Sequence, residues 1–154
     1  GIPVNLIIRS HDPAWDAEYE VYTEKREQFR VKTSREGNIQ HIRIFDDGDT
    51  EIGHVYQNRT GVTGECLGRE LLTVDRRMGL LFRMIPVIES DCFRSCSLVR
   101  GDIRKRDYDL YTNRRPIHVY PPTYGVVAAW EDFLARPIEV LVLVLAIEAI
   151  AQYT

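Results

Sequence analysis

The amino-acid sequence predicts a mainly β protein, with about twelve antiparallel strands closed into a barrel around a central hydrophobic C-terminal helix. Short alternating segments fill the chain before the last stretch, and turn clusters separate them about every ten residues. The final segment, from Ile138 to Ala151, has no polar residue between Glu139 and Glu148. At 154 residues the whole chain, 1–154, has the length of a single domain.

Period-two alternation predicts an early hairpin. Phe29 to Thr33 forms its first strand and Ile39 to Phe45 its second. The turn between them contains Gly37 and Asn38, which both tolerate a positive φ. A second turn after Phe45 leads into a third alternating strand, Glu51 to Gln57.

Shorter patterns predict the other strands of a region that spans residues 19–135. These strands are Leu71 to Val74, Leu80 to Ile85, Cys92 to Val99, Tyr108 to Tyr111, Ile117 to Tyr120, Tyr124 to Trp130 and Phe133 to Ala135. A turn is predicted at Asp75 to Gly79. The glycine-rich segment from Gly61 to Gly68 is interpreted as a connecting loop, and residues 1–18 as an irregular N-terminal segment.

The last segment is predicted to be a helix over residues 137–153. Pro137 suits the first turn of a helix because it has no amide hydrogen to satisfy. Val140 to Ile147 covers more than two turns without a polar side chain, so the helix must be buried on every face. A buried strand at Val140 to Leu145 is the alternative. Because an unpaired buried carboxylate is costly, we expect Glu148 near the helix end, beside an arginine or solvent.

Such a helix poses a packing problem, because on the outside of a sheet it would expose half of its apolar surface. A closed barrel with the helix in its lumen solves this problem and also removes free sheet edges. A dimer interface over the outer face and a membrane are the alternatives. As a membrane span, residues 137–153 would rise about 25 Å, short of the roughly 30 Å of a bilayer core.

Charge and cysteine content predict a cytoplasmic protein. The 20 Lys and Arg residues are balanced by 23 Asp and Glu residues, so the net charge does not favour binding to nucleic acid. No nucleic-acid partner is expected. Three cysteines without a CxxC pair favour reduced thiols over a disulfide framework or a zinc site. The first residues do not have the pattern of a signal peptide.

No catalytic constellation is visible, so we expect a non-enzymatic protein without a cofactor. Cys92 and Ser95 lack the elbow sequence that would make either of them a nucleophile. The histidines are dispersed and no metal is expected, although His41 and His54 can lie near each other on neighbouring strands.

The densest basic cluster surrounds a predicted hairpin and is the candidate site for a phosphate or lipid headgroup. Guanidinium groups suit phosphate because they donate paired hydrogen bonds. The candidate residues are Arg100, Arg104, Lys105, Arg106, Arg114 and Arg115. The alternative is a solvated hairpin that Asp102, Asp107 and Asp109 partly neutralise.

Four segments together carry a resemblance to a known family. Gln28 to Asn38 is similar to the family's opening hairpin, and Ile44 to Ile52 resembles its next turn. Arg100 to Asn113 looks like a later family segment, and Pro137 to Ala151 corresponds to its closing apolar helix. On these segments the chain resembles a short, bacterial-type LURP-one-related protein of the tubby C-terminal-like superfamily, which also includes the phospholipid scramblases.

This resemblance implies a twelve-stranded barrel around a central helix and a binding or scaffold role. The implied partner is an anionic phospholipid, a phosphoinositide or a protein, with a peripheral location at membranes. Asn113 to Arg115 lacks the family's glycine, and the scramblases' calcium-binding and palmitoylated segments are not evident, so scrambling is not implied. A lipocalin-like small-molecule carrier, with an empty lumen and an external amphipathic helix, and an enzyme of unrecognised type remain the alternatives.

Overall fold

A computed structural model describes the chain as antiparallel β-strands followed by one C-terminal helix. The described residues are 4–9, 18–25, 27–57, 61–78, 84–89, 98–103, 105–111, 116–121, 126–130 and 136–151. The strands are β1 (Val4–Arg9), β2 (Glu18–Thr23), β3 (Gln28–Glu36), β4 (Ile39–Phe45), β5 (Glu51–Gln57), β6 (Gly61–Cys66), β7 (Arg69–Met78), β8 (Met84–Glu89), β9 (Leu98–Asp102), β10 (Asp107–Tyr111), β11 (Ile117–Val119) and β12 (Val126–Trp130). The helix is α1 (Pro137–Ala151).

The strands follow one another in the sheet much as they do in the chain. Their order is β8-β7-β6-β5-β4-β3-β2-β1-β12-β11-β10-β9, so each strand pairs with a sequence neighbour except at the junction of β1 with β12. Among the described residues, these twelve strands form one continuous sheet, with β8 at one end and β9 at the other. The mainly β prediction with one C-terminal helix is therefore confirmed.

The prediction of a closed barrel of about twelve strands is wrong. Closure requires the two end strands of the sheet to pair, whereas no backbone pair among the described residues joins β8 to β9. The barrel was inferred from the need to bury the helix, and burial requires only that side chains cover it. A curved, open sheet provides that cover without a complete ring of hydrogen bonds.

Several strand boundaries also differ from their predictions. Strands β4 and β5 have the predicted limits, but β7 extends to Met78 and so includes the described part of the turn that was predicted at Asp75 to Gly79. The segment interpreted as a loop contains β6, and the segment interpreted as irregular contains β1. Of the strand predicted at Leu80 to Ile85, residues 80–83 lie outside the described residues, and Met84 and Ile85 belong to β8. The predicted strand at 133–135 and the first part of the one at 92–99 lie outside the described residues.

Helix α1 is buried on every face over its middle turns, as predicted. The residues from Val140 to Ile147 are each at most 3% exposed. The helix packs mainly against the inner faces of β5, β6 and β7. The inward side chains that form the core with it are Val21, Val31, Ile44, Val55, Val62, Leu72, Val74 and Leu110. This arrangement opposes the carrier alternative, which requires an external amphipathic helix.

Two glycines of the sheet allow this close contact with the helix. A Cβ at Gly64 would lie 2.7 Å from Val142 Cγ1, and a Cβ at Gly53 would lie 3.2 Å from Val142 Cγ2. The approach of the helix therefore leaves no room for a side chain at Gly64, whereas at Gly53 the closest obstacle is Ile44 Cδ1 of β4, 2.9 Å from the added Cβ.

Each glutamate of the helix has an arginine partner. Glu139 Oε1 accepts a hydrogen bond from Arg136 Nε at 2.6 Å in the first turn, where a negative charge also suits the helix dipole. Near the other end, Glu148 pairs with Arg106 at 2.5 Å, so the expectation of an arginine beside it is confirmed. No helix among the described residues combines the length and the apolarity needed to cross a membrane.

Candidate functional site

The β9–β10 hairpin carries three of the predicted basic residues. Arg100 is exposed on β9, directly opposite Asp109 of β10, and its guanidinium carbon lies 5.1 Å from the centroid of the Tyr111 ring. Lys105 is exposed in the turn, and its backbone N–H donates to Asp102 Oδ1 at 3.2 Å. The hairpin therefore presents two cations on a locally ordered backbone.

The backbone of this hairpin is tightly constrained at two positions. Gly101 has a φ of 112°, and a Cβ there would lie 2.4 Å from the carbonyl oxygen of Asp107. Arg106 has a φ of 54°, and its N–H donates to the Ile103 carbonyl oxygen at 3.1 Å. A left-handed conformation is uncommon for a residue with a side chain, and here it accompanies a side chain that is turned into the protein.

Arg106 forms a buried ion pair with the helix. Its Nη2 lies 2.5 Å from Glu148 Oε2, and the two side chains are only 11% and 12% exposed. Burial raises the pKa of Glu148 above its ordinary value, and Arg106 partly opposes this rise. The nearby Tyr19 is buried as well, and its burial and the Glu148 charge raise the pKa of the phenol. The pair fixes the hairpin to the end of α1.

The predicted basic cluster is therefore divided. Arg100 and Lys105 lie at the surface of one hairpin, whereas the guanidinium of Arg106 is engaged by Glu148 and does not face a ligand outside. Arg104, Arg114 and Arg115 lie outside the described residues.

A second polar site lies on the outer face of β4, β5 and β6. His41 Nδ1 and His54 Nε2 are 2.8 Å apart, so the expected proximity of these histidines is confirmed. The two rings are nearly parallel, with centroids 5.1 Å apart and an interplanar angle of 17°. The ring of Tyr56 lies against His54, with a centroid distance of 4.8 Å. We call His41, His54 and Tyr56 the imidazole cluster.

Two carboxylates flank the imidazole cluster. Glu36 Oε2 lies 3.6 Å from His41 Nε2, and Glu65 Oε2 lies 3.9 Å from His54 Nδ1. The Tyr56 hydroxyl donates to Glu65 Oε1 at 3.1 Å. Each carboxylate thus faces the ring nitrogen that is turned away from the other histidine.

The charge environment favours the neutral form of His54. Burial lowers the pKa of this imidazole, and the nearby Arg43 guanidinium lowers it further. Burial and the hydrogen bond to Glu65 raise the pKa of Tyr56, which keeps the phenol protonated. The cluster therefore offers a neutral imidazole at His54 and one fixed hydroxyl at Tyr56.

Strand register brings the imidazole cluster together. Arg43 pairs with His54 across β4 and β5, His41 pairs with Tyr56, and His54 pairs with Glu65 across β5 and β6. The alternation of β4 and β5 could reveal the two histidines and Tyr56, but Glu65 was missed because β6 was interpreted as a loop. No set of three or more His, Cys, Asp or Glu side chains in the described ranges has the geometry of a metal site.

Compared with protein-family models, with curated proteins and with solved structures, the chain matches none of them. The resemblance to LURP-one-related proteins therefore stays a prediction.

Proposed function

We propose that the protein is a non-enzymatic binding protein that recognises phosphate-bearing lipid headgroups on its outer surface, through the β9–β10 hairpin. The observation that carries this proposal is the position of α1. Because the helix packs directly against the inner faces of the strands, the space that a lipocalin-like carrier would use for its ligand contains protein. This position of the helix favours a ligand site on the outer surface.

The β9–β10 hairpin is the surface on which exposed basic residues and an anchored backbone coincide. Arg100 and Lys105 supply charge, and the ion pair between Arg106 and Glu148 holds the hairpin against the helix. A preorganised hairpin loses little conformational freedom when it binds, which favours affinity. The sequence adds Arg104 to the same turn and Arg114 and Arg115 beyond β10.

Liposome flotation tests this function with the variant R100E/K105E. Wild-type protein is expected to float with vesicles that contain phosphatidylserine or a phosphoinositide and not with phosphatidylcholine alone. Each basic residue near an anionic surface contributes roughly 1 kcal/mol, so loss of the two positive charges alone lowers partitioning by about 30-fold, and the two added carboxylates lower it further. Added salt should weaken wild-type binding because it screens these charges.

The matched control is K25E/R35E, which reverses one lysine and one arginine at exposed positions away from the hairpin. It changes the net charge by the same amount and should retain wild-type flotation. Arg106 is kept in both variants because its loss would disturb the fold. Failure of the wild type to float, or equal loss in both variants, would contradict the proposal. Competition by inorganic phosphate separates recognition of free phosphate from recognition of a headgroup in a membrane.

A further inference from the structure

The inner ring nitrogens of His41 and His54 share one hydrogen. Nδ1 of His41 and Nε2 of His54 lie 2.8 Å apart, within the range of a hydrogen bond. A neutral imidazole carries one N–H and one lone pair, so one ring donates and the other accepts, and either ring can be the donor. The bond exists only while at least one of the two inner nitrogens keeps its lone pair.

Protonation affects this bond in two unequal steps. After one added proton, one ring is still neutral, so a charged donor and a neutral acceptor keep the hydrogen bond. After a second proton, both inner nitrogens carry hydrogens that point into the same 2.8 Å gap, and two positive charges face each other. The rings must then separate, so the closed pair holds at most one positive charge.

The charged groups around the pair leave this limit in place. On β3 and β6, Glu36 and Glu65 lie 3.6 and 3.9 Å from the outer ring nitrogens, too far to form hydrogen bonds with them. On β4, the Arg43 guanidinium lies 3.5 Å from Glu36 Oε1 and donates to Glu51 Oε1 at 3.0 Å, so it engages two of the nearby carboxylates. On β5, Tyr56 adds a neutral phenol that donates to Glu65.

Burial also opposes a positive charge in the cluster. The side chains of His41 and His54 are only 13% and 19% exposed. Burial lowers the pKa of His54, and the charges of Arg43 and His41 lower it further. A histidine pKa that is lower in the folded protein than in the unfolded chain contributes stability that is present above the unfolded value of 6.5 and is lost as the pH falls.

We propose that His41 and His54 form an acid-sensitive switch on the outer face of β4, β5 and β6. Near neutral pH the hydrogen bond holds the two rings together, with the Tyr56 ring against His54. When both rings are charged, they separate and turn towards solvent. The backbone pairs of β4 and β5 remain, so the sheet stays folded while a shielded cluster becomes two exposed cations.

NMR of the imidazole ring nitrogens, from about pH 8 to about pH 5, tests the switch over the range in which histidines change charge. Near pH 8 we expect a scalar coupling across the hydrogen bond between His41 and His54. By about pH 5 this coupling should be lost, while the backbone amide signals of β4 and β5 stay dispersed. The proposal is overturned if the coupling is absent near pH 8, if it persists at about pH 5, or if the sheet signals disappear with it.

Variants separate repulsion between the two rings from a general effect of acid. In H41Q, protonation of His54 no longer places two cations face to face, so the pKa of His54 should be higher than in the wild type. H41N, with a shorter amide, should give the same rise. H118Q is the matched control, because His118 pairs with Asp109 across β10 and β11, and it should leave the pKa of His54 unchanged.

An equal pKa of His54 in H41Q, H41N and the wild type, or an equal rise in H118Q, would also overturn the switch. The cluster lies apart from the β9–β10 hairpin, so R100E/K105E should show the same titration as the wild type. The outcome of the flotation experiment therefore leaves this test unaffected.

Discussion

Replacing Arg106 with methionine is expected to lower the free energy of unfolding by about 3–5 kcal/mol at pH 7. Methionine preserves much of the side-chain length but removes the partner that lies 2.5 Å from Glu148 Oε2. The other oxygen, Oε1, is buried and has no hydrogen-bond partner among the described residues, so the substitution would add a second unpaired oxygen. Urea denaturation followed by circular dichroism measures the loss.

Arg100→Met is the matched control on the same hairpin. Arg100 is exposed, and its contact with the Tyr111 ring contributes no more than about 1 kcal/mol, so the free energy of unfolding should change little. The double variant R106M/E148M should recover much of the stability that R106M loses, because it leaves no buried charge. Equal stabilities of R106M and R100M would show that the ion pair contributes little to the fold.

The decrease in the free energy of unfolding caused by R106M should also depend on pH. Burial raises the pKa of Glu148 above the ordinary value of 4.5, and Arg106 opposes the rise, so removal of Arg106 raises that pKa further. A raised native pKa gives stability that is fully present below the unfolded value and is lost as the pH increases through the native value. The difference between wild type and R106M should therefore be small below pH 4.5 and grow towards neutral pH. A difference that does not vary with pH would contradict this assignment.

Replacing Gly64 with alanine is expected to destabilise the protein by about 1–3 kcal/mol, the range for overpacking of a core. The new methyl group would lie 2.7 Å from Val142 Cγ1 and 3.3 Å from Leu72 Cγ, so the helix or the strand would have to move. Thermal and urea unfolding measure the change. Gly48→Ala is the control, because a Cβ at this exposed turn position meets only Asp46 Oδ1 at an ordinary 3.4 Å.

A second substitution tests whether the contact with Val142 causes that loss. Val142→Ala removes the methyl group that the new side chain would meet, although it loses buried apolar surface itself. In the double variant the two losses should be less than additive, with a coupling of about 0.5–3 kcal/mol. Strict additivity would mean that the new methyl group does not clash with Val142 and that the loss arises elsewhere, as at Leu72 Cγ, 3.3 Å from the added Cβ.

The sequence predicts those parts of the fold that depend on local patterns. The uninterrupted apolar run of α1 predicted its burial, and alternation predicted β4 and β5 with their observed limits. Strand β6 was missed for a tertiary reason. Gly61 and Gly64 suggest a loop when only their neighbours in the chain are considered, whereas the glycine at position 64 is required by a helix that follows much later in the sequence.

In the candidate sites, too, features set by local patterns were predicted and features set by tertiary contacts were not. Alternation placed His41 and His54 near each other, because a strand register follows from a short turn. The sequence also predicted an arginine or solvent beside Glu148, but it could not identify Arg106 as the partner. Arg106 reaches Glu148 from a tight turn in which Arg106 itself has a left-handed backbone conformation. The residues next to it in the sequence do not predict that conformation. The same turn determines which cations face outwards, so the basic cluster could be predicted only as a group.

The position of α1 after all the strands has a consequence for biosynthesis. A ribosome releases β5, β6 and β7 well before it completes the helix that packs on them. Until then, the apolar side chains of Val55, Val62 and Leu72 have no helix to cover them, and a nascent sheet of this kind is prone to aggregate. Contacts between segments so far apart in the chain also slow folding. Synthesis of the helix therefore ends the period in which a newly made chain most needs protection by chaperones.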